Sequence, residues 1–297
     1  MRFVKMHGIQ NDYVYVDAVT RPELERGDLP ALARAISHRH TGVGSDGLIL
    51  LCRPAADGHV RMRMFNADGS ESEMCGNGVR CVAKFAHDRL GIRANPMLVE
   101  TGAGVLSIEY ITDGSKLTRA TVDMGEPILD LQQIPVDPER VQWNERKGEA
   151  IGYSIRGWKG IFDWRFVSMG NPHAVSWEAA PLDLRGIAPD ERTRLGRMCA
   201  EIEILPAFPR RINVHFVRNR SRTEADMITW ERGAGFTQAC GTGACAVLVA
   251  GVLAGRMERE ALLHLPGGDL TIRWDEKTNH VFKTGPATEV FEGDWPD

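Results

Sequence analysis

Two stretches of this chain, 165 residues apart, are built the same way. Met64 to Gly78 runs Met-Phe-Asn-Ala-Asp-Gly-Ser-Glu-Ser-Glu-Met-Cys-Gly-Asn-Gly, and Thr229 to Gly243 runs Thr-Trp-Glu-Arg-Gly-Ala-Gly-Phe-Thr-Gln-Ala-Cys-Gly-Thr-Gly. In each, a strand of alternating polarity ends in an aromatic residue, Phe65 or Trp230. Ten positions later Cys75 or Cys240 opens a Cys-Gly-[Asn/Thr]-Gly turn. A helix is predicted after each turn, Gly78 to Leu90 and Gly243 to Ala254, stopped by a glycine at Gly91 or Gly255. A second element repeats upstream, where Gly8-Ile9-Gln10-Asn11 has its counterpart in Gly170-Asn171-Pro172-His173. A duplication of this length predicts two similar domains, and 297 residues suit two.

Elsewhere short alternating runs dominate, as in Val60 to Met64 and Ala225 to Trp230. Further strands are expected at Tyr13 to Asp17, Leu48 to Cys52, Leu106 to Tyr110, Ala120 to Met124, Phe162 to Ser168, Ile212 to Val217 and Leu270 to Trp274. Helices are fewer, with Pro30 to Arg39 and Asp190 to Ile202 joining the two that follow the repeated turns. Many strands and few helices indicate an α+β or barrel-like arrangement, not a doubly wound parallel sheet.

A hydrophobic content of 43% and a charged content of 26% describe a folded protein. The net charge of −4 supplies no basic field, so neither nucleic acid nor an anionic membrane is an expected partner. The longest nearly uninterrupted apolar run, Ala244 to Ala254, falls well short of the ~20 residues that span a bilayer. Met1 to Met6 alternates like a strand and lacks a signal-peptide core, so a soluble cytoplasmic protein is expected.

Six cysteines are too few for a disulfide scaffold in a chain this long. A cysteine just before a helix sits among unsatisfied N–H groups at the positive end of the helix dipole, a setting that lowers a thiol pKa. The flanking glycines let backbone N–H groups approach a small anion. One such cysteine alone would be read as packing, but packing does not require Cys at the same point of two diverged halves. Cys75/Cys81 and Cys240/Cys245 lack the tight spacing of structural zinc sites, and on a helix Cys81 and Cys245 would face the core. Gly42-Val43-Gly44-Ser45-Asp46-Gly47 satisfies G-x-G-x-x-G literally, yet a predicted helix precedes it and a strand follows. That is the reverse of a dinucleotide site.

Taken together, Asn11, the His40 to Gly47 loop, Phe65 to Glu71 and Cys75-Gly76-Asn77-Gly78 resemble the diaminopimelate epimerases. So do Gly170 to His173, Ile212-Asn213-Val214, Trp230 to Gly233 and Ala239 to Cys245, in order along essentially the whole chain. The resemblance implies two pseudo-symmetric domains, each a β-barrel-like sheet around a central helix. Residues 1–123 with 285–297 would carry Cys75, and residues 124–284 would carry Cys240. It implies interconversion of LL- and meso-diaminopimelate on the route to lysine and cell-wall precursors, by a homodimer using neither pyridoxal phosphate nor metal.

By the same resemblance Cys75 and Cys240 are the two acid/base groups, one for each face of an α-carbon. Gly76, Asn77, Gly241 and Thr242 would supply N–H donors to the substrate carboxylate. Asn11, Asn66, Asn171 and Asn213 correspond to substrate-binding amides, and Arg232 to a clamp on the distal carboxylate. His173 and Glu231 would tune the thiols, Glu231 also lying against substrate, and Phe291 matches an aromatic dimer contact. Gly47 stands where many members carry a substrate-contacting Gln, and Phe236 where a Glu is common. The runner-up reading is a same-fold, cofactor-independent racemase of another amino acid, such as histidine or proline. From a different class, a thiol-redox or metal-binding module would also use paired cysteines.

Overall fold

A computed structural model describes residues 1–74, 76–146, 149–158, 163–177 and 189–296. The chain divides into two units: Met1–Asp123 with Thr284–Asp297, and Met124–Lys283. Four α-helices lie among the described residues: α1 (Leu29–Ser37), α2 (Gly78–Leu90), α3 (Pro189–Glu203) and α4 (Gly241–Leu253).

In the first unit Arg2–Gly8 pairs antiparallel with Asn11–Asp17, which lies parallel to Gly47–Cys52 after α1. That strand is antiparallel to Val60–Asn66, which pairs with the short Glu71–Ser72 and then, beyond α2, runs parallel to Met97–Thr101. Antiparallel Gly104–Asp113 and Lys116–Asp123 follow. Thr288–Asp294 closes on Arg2–Gly8.

The second unit repeats the sequence of pairings. Arg165–Ser168 is antiparallel to Pro172–Ser176, which runs parallel to Asn213–Asn219 after α3. Asn213–Asn219 is antiparallel to Glu224–Glu231, which takes Gly235–Thr237 on one side and, beyond α4, lies parallel to Glu260–Leu265. Antiparallel Gly268–Trp274 comes next. A hairpin of Val141–Arg146 and Glu149–Ile155 is additional to this pattern. The repeat seen in the sequence is therefore a repeat of topology.

Each half buries one helix, and composition explains how. Residues Gly78 to His87 of α2 are all buried, as are ten of α4, whose Gly, Ala, Val, Leu and Cys side chains leave it no polar face. Cys81 and Cys245 are among them and point into the core. Gly91 and Gly255 end the two helices in the left-handed conformation, at φ 69° and 65°. The predicted helices are present within a residue or two. Several strands were not predicted, including Met97–Thr101, Glu260–Leu265 and Thr288–Asp294. Their pairing, not their own pattern, selects the extended state. Phe162, placed in a predicted strand, lies outside the described residues.

Candidate active site

In the second unit the site is assembled on three neighbouring strands and the start of α4. Cys240 is the N-cap residue of α4, 3% exposed, with Sγ 3.6 Å from Thr242 Oγ1. Gly241 and Thr242 form the first turn, where N–H groups lack intrahelical acceptors. The thiol pKa departs from the expected direction. Burial pushes it up and the Glu231 carboxylate adds to the rise, outweighing the Thr242 hydroxyl and the Gly243 N–H, which favour thiolate. Desolvation of the buried thiol exceeds the benefit of a helix terminus. Burial and the Glu231 carboxylate thus favour the thiol form of Cys240.

Glu231 ends the strand leading to the turn and accepts from the Thr237 hydroxyl at 2.6 Å. Arg232 donates its backbone N–H to Asn213 Oδ1 at 3.0 Å, and its guanidinium donates to the Arg210 carbonyl at 2.9 Å. Asn213 is buried and also donates from Nδ2 to the Pro172 carbonyl at 2.9 Å, so its amide ties three segments together. Phe236 meets the Trp230 ring edge-on, with centroids 5.1 Å apart, as part of the hydrophobic core around α3.

Behind Asn171 lies a buried chain of polar groups. His173 Nε2 is 2.8 Å from Asn171 Oδ1, His173 Nδ1 is 2.8 Å from His215 Nε2, and His215 Nδ1 is 3.0 Å from Thr229 Oγ1. Neither ring is exposed, and both pKa values are lowered by burial, that of His215 to about 3. The His215 ring lies against α4: a Cβ at Gly243 would collide with its Cε1 and stand 3.0 Å from Cys240 Sγ. His215 went unnoticed in the sequence. The signal available was its place two residues beyond Asn213 on one strand, hence on the same face.

In the first unit the counterpart of Cys240, Cys75, lies outside the described residues. Gly76 and Asn77 precede α2, where the Gly76 carbonyl and Asn77 Oδ1 accept from the Arg80 guanidinium at 3.3 and 3.1 Å. Asn11 donates from Nδ2 to Asp46 Oδ2 at 2.7 Å. Asp46 also pairs with Arg39 at 2.8 Å, and Asp12 with Arg39 and Lys5 at 2.9 and 2.5 Å. Burial works to raise the Asp12 pKa, but the two cations outweigh it and hold the carboxyl below its usual range. The turn before Asn11 is tighter than its glycine suggested. Ile9 and Gln10, not Gly8, take the left-handed positions, at φ 55° and 65°. Asn66 donates to Ser70 Oγ at 3.0 Å across a turn. Gly47 is buried, and its carbonyl accepts from the Ser45 hydroxyl at 2.9 Å. Phe291 lies on the strand Thr288–Asp294, 47% exposed, edge-on to Phe3 at 6.0 Å.

The family described as diaminopimelate epimerase matches residues 3–129 and 165–290. The diaminopimelate epimerase of Moorella thermoacetica is 46% identical over 296 residues, covering 100% of this chain and 99% of that protein. That of Desulfovibrio desulfuricans is 47% identical over 298 residues, covering 99% and 98%. Among solved structures, a probable proline racemase from Agrobacterium radiobacter K84 superposes with a TM-score of 0.65 at 13% identity, covering 99% of this chain and 92% of that one. A hydroxyproline epimerase from Agrobacterium vitis gives 0.61 at 16% identity, covering 99% and 90%. At these identities the structural likeness speaks for the fold.

Proposed function

This chain belongs to the diaminopimelate epimerase family, and we propose on that premise that it interconverts LL- and meso-diaminopimelate in lysine biosynthesis. The observation that carries the reading is relatedness over the whole chain at 43–47% identity to proteins of that name. The alternative racemase reading rests on neighbours at 13–16% identity, which carry no substrate information.

Epimerisation removes the α-proton from one face of the carbon and delivers a proton to the other, so it needs one base and one acid. We assign these to Cys75 and Cys240, one from each half of the repeat. Cys240 begins as the thiol, the state that burial and Glu231 favour, and so holds the proton to be delivered. Cys75 is the partner base, and the roles exchange when the reaction runs backwards. Charge developing on the α-carboxylate in the transition state would be met by N–H groups of Gly241 and Thr242, and of Gly76 and Asn77. Asn11, Asn66 and Asn171 are assigned to substrate polar groups, and the Arg232 guanidinium to the distal carboxylate. Asn213, whose amide is engaged within the protein, acts by holding Arg232 and Pro172 in place. Gly47 contributes only backbone.

Two thiols supply both proton transfers, so the proposed chemistry calls on neither pyridoxal phosphate nor metal. A homodimer through the strand Thr288–Asp294 is supported by the exposed Val290 and Phe291 there. A cytoplasmic location follows from the pathway. Among the described residues no helix is long and apolar enough to cross a membrane. The direct test is incubation with LL-diaminopimelate in D2O. Formation of the meso form with deuterium at the inverted carbon is expected. Turnover of a monocarboxylic amino acid with none of diaminopimelate would overturn the assignment.

A further inference from the structure

The chain Thr229–His215–His173–Asn171 can carry its hydrogen bonds in only two directions, because each neutral imidazole has one donor and one acceptor nitrogen. Two observations choose between them. The Asn171 oxygen faces His173, so His173 Nε2 must donate and its Nδ1 must accept. His215 Nε2 therefore donates to His173, and His215 Nδ1 accepts. At the far end the Thr229 hydroxyl is 1% exposed, and His215 Nδ1 is its one side-chain partner among the described residues. A buried hydroxyl proton left without an acceptor is costly, so Thr229 donates to His215. Both ends give the same direction.

From this geometry we propose that His215 is a positioning residue. It passes a one-way series of donors from Thr229 to the Asn171 oxygen and so fixes the Asn171 amide with its NH2 group turned away from the protein network. Among the described residues nothing accepts from Asn171 Nδ2, which leaves both of its protons for a ligand. A partly exposed asparagine is otherwise free to flip and present its oxygen, which repels a carboxylate. The fixed direction makes the site selective for an acceptor at this point, such as a substrate carboxylate oxygen. A second proton on His173 would set its Nδ1 against the His215 Nε2 donor, and one on His215 would turn the Thr229 hydroxyl from donor to acceptor, so the one-way series holds only with both rings neutral, as complete burial favours. This inference rests on the substrate-binding role proposed for Asn171, and it extends that role to a residue on the neighbouring strand.

The test has two independent parts. In protein labelled with 15N-histidine, long-range proton–nitrogen correlation should show His173 and His215 both protonated at Nε2 and bare at Nδ1. Either ring protonated at Nδ1 overturns the proposal, whatever the substrate proves to be. In the second part, His215→Phe removes the donor while keeping an aromatic ring. It should raise KM for diaminopimelate roughly tenfold with a much smaller change in kcat. His215→Gln, whose amide can donate in place of Nε2, should restore most of the loss. An unchanged KM in His215→Phe, or a Gln variant no better than Phe, would overturn it. If His215→Phe does not fold, the tautomer measurement on the unaltered protein decides alone. If diaminopimelate is not a substrate at all, the assigned reaction fails while the nitrogen spectra still test the direction of the chain.

Discussion

Gly47 and Asn213 occupy the same position in the two halves of this protein. Each begins a strand, and each stands in parallel register with the residue two beyond an asparagine, Gly47 with Tyr13 and Asn213 with His173. One place carries a buried amide that binds two backbone groups, and the other has no room for any side chain. A Cβ at Gly47 would collide with the Phe65 carbonyl and stand 3.0 Å from the Tyr13 ring. The family's Gln cannot be introduced there on this backbone.

Gly47→Ala is accordingly expected to destabilise the fold by about 1–3 kcal/mol, because the strand Val60–Asn66 must shift to admit the methyl group. Urea titration of the two proteins checks this. An unchanged midpoint would show that the first half yields at this position.

Cys75→Ala and Cys240→Ala should each abolish epimerisation, since each leaves one face of the α-carbon without its acid/base group. Cys52→Ala and Cys199→Ala should not. Both of those side chains are packed in hydrophobic cores, and neither opens a helix after the repeated turn. Deuterium incorporation from D2O is the readout. Near-normal turnover in Cys240→Ala would remove the two-base reading.

The paired histidines make stability depend on acid. Both fold with pKa values below the ordinary 6.5, His215 at about 3, so below pH 6.5 the unfolded chain binds protons that the folded chain refuses. Stability from this pair is present above pH 6.5 and is lost as pH falls toward 3. Urea midpoints measured from pH 7.5 to 4.5 should drop, and His215→Gln should flatten the slope. An equal slope in the variant would show that the carboxylates alone account for it.

Arg232→Lys keeps the charge but loses the planar fork that grips a carboxylate at two points. It should lower kcat/KM for diaminopimelate roughly ten- to a hundredfold, at about 1.5–3 kcal/mol for a charge-assisted bond. The loss should be small for any substrate lacking the second carboxylate. Equal losses on both kinds of substrate would assign Arg232 to the fold and not to the clamp.

Phe291→Asp places a charge at an exposed position of a strand that already carries Glu289 and Glu292. If this strand is the dimer contact, sedimentation should show a monomer where the unaltered protein is dimeric. A dimer that survives the substitution would move the interface elsewhere.

What was legible in the sequence is local. The duplication, both central helices, their glycine stops and the turn that presents Cys240 depend on residues within a few positions of one another, where propensity and periodicity act directly. The family motifs named the asparagines, Glu231 and Arg232 by the same kind of short-range spacing. Folding decided what those residues do. Parallel pairing of Pro172–Ser176 with Asn213–Asn219, and antiparallel pairing of the latter with Glu224–Glu231, joins His173, His215 and Thr229 across 42 and 14 residues of chain. No local pattern encodes that meeting. The same burial sets the protonation of Cys240, reversing what a helix terminus alone would do. Sequence places the chemical groups by short-range rules, but their pKa values, tautomers and partners depend on desolvation and on strand register, which exist only once the chain has closed on itself.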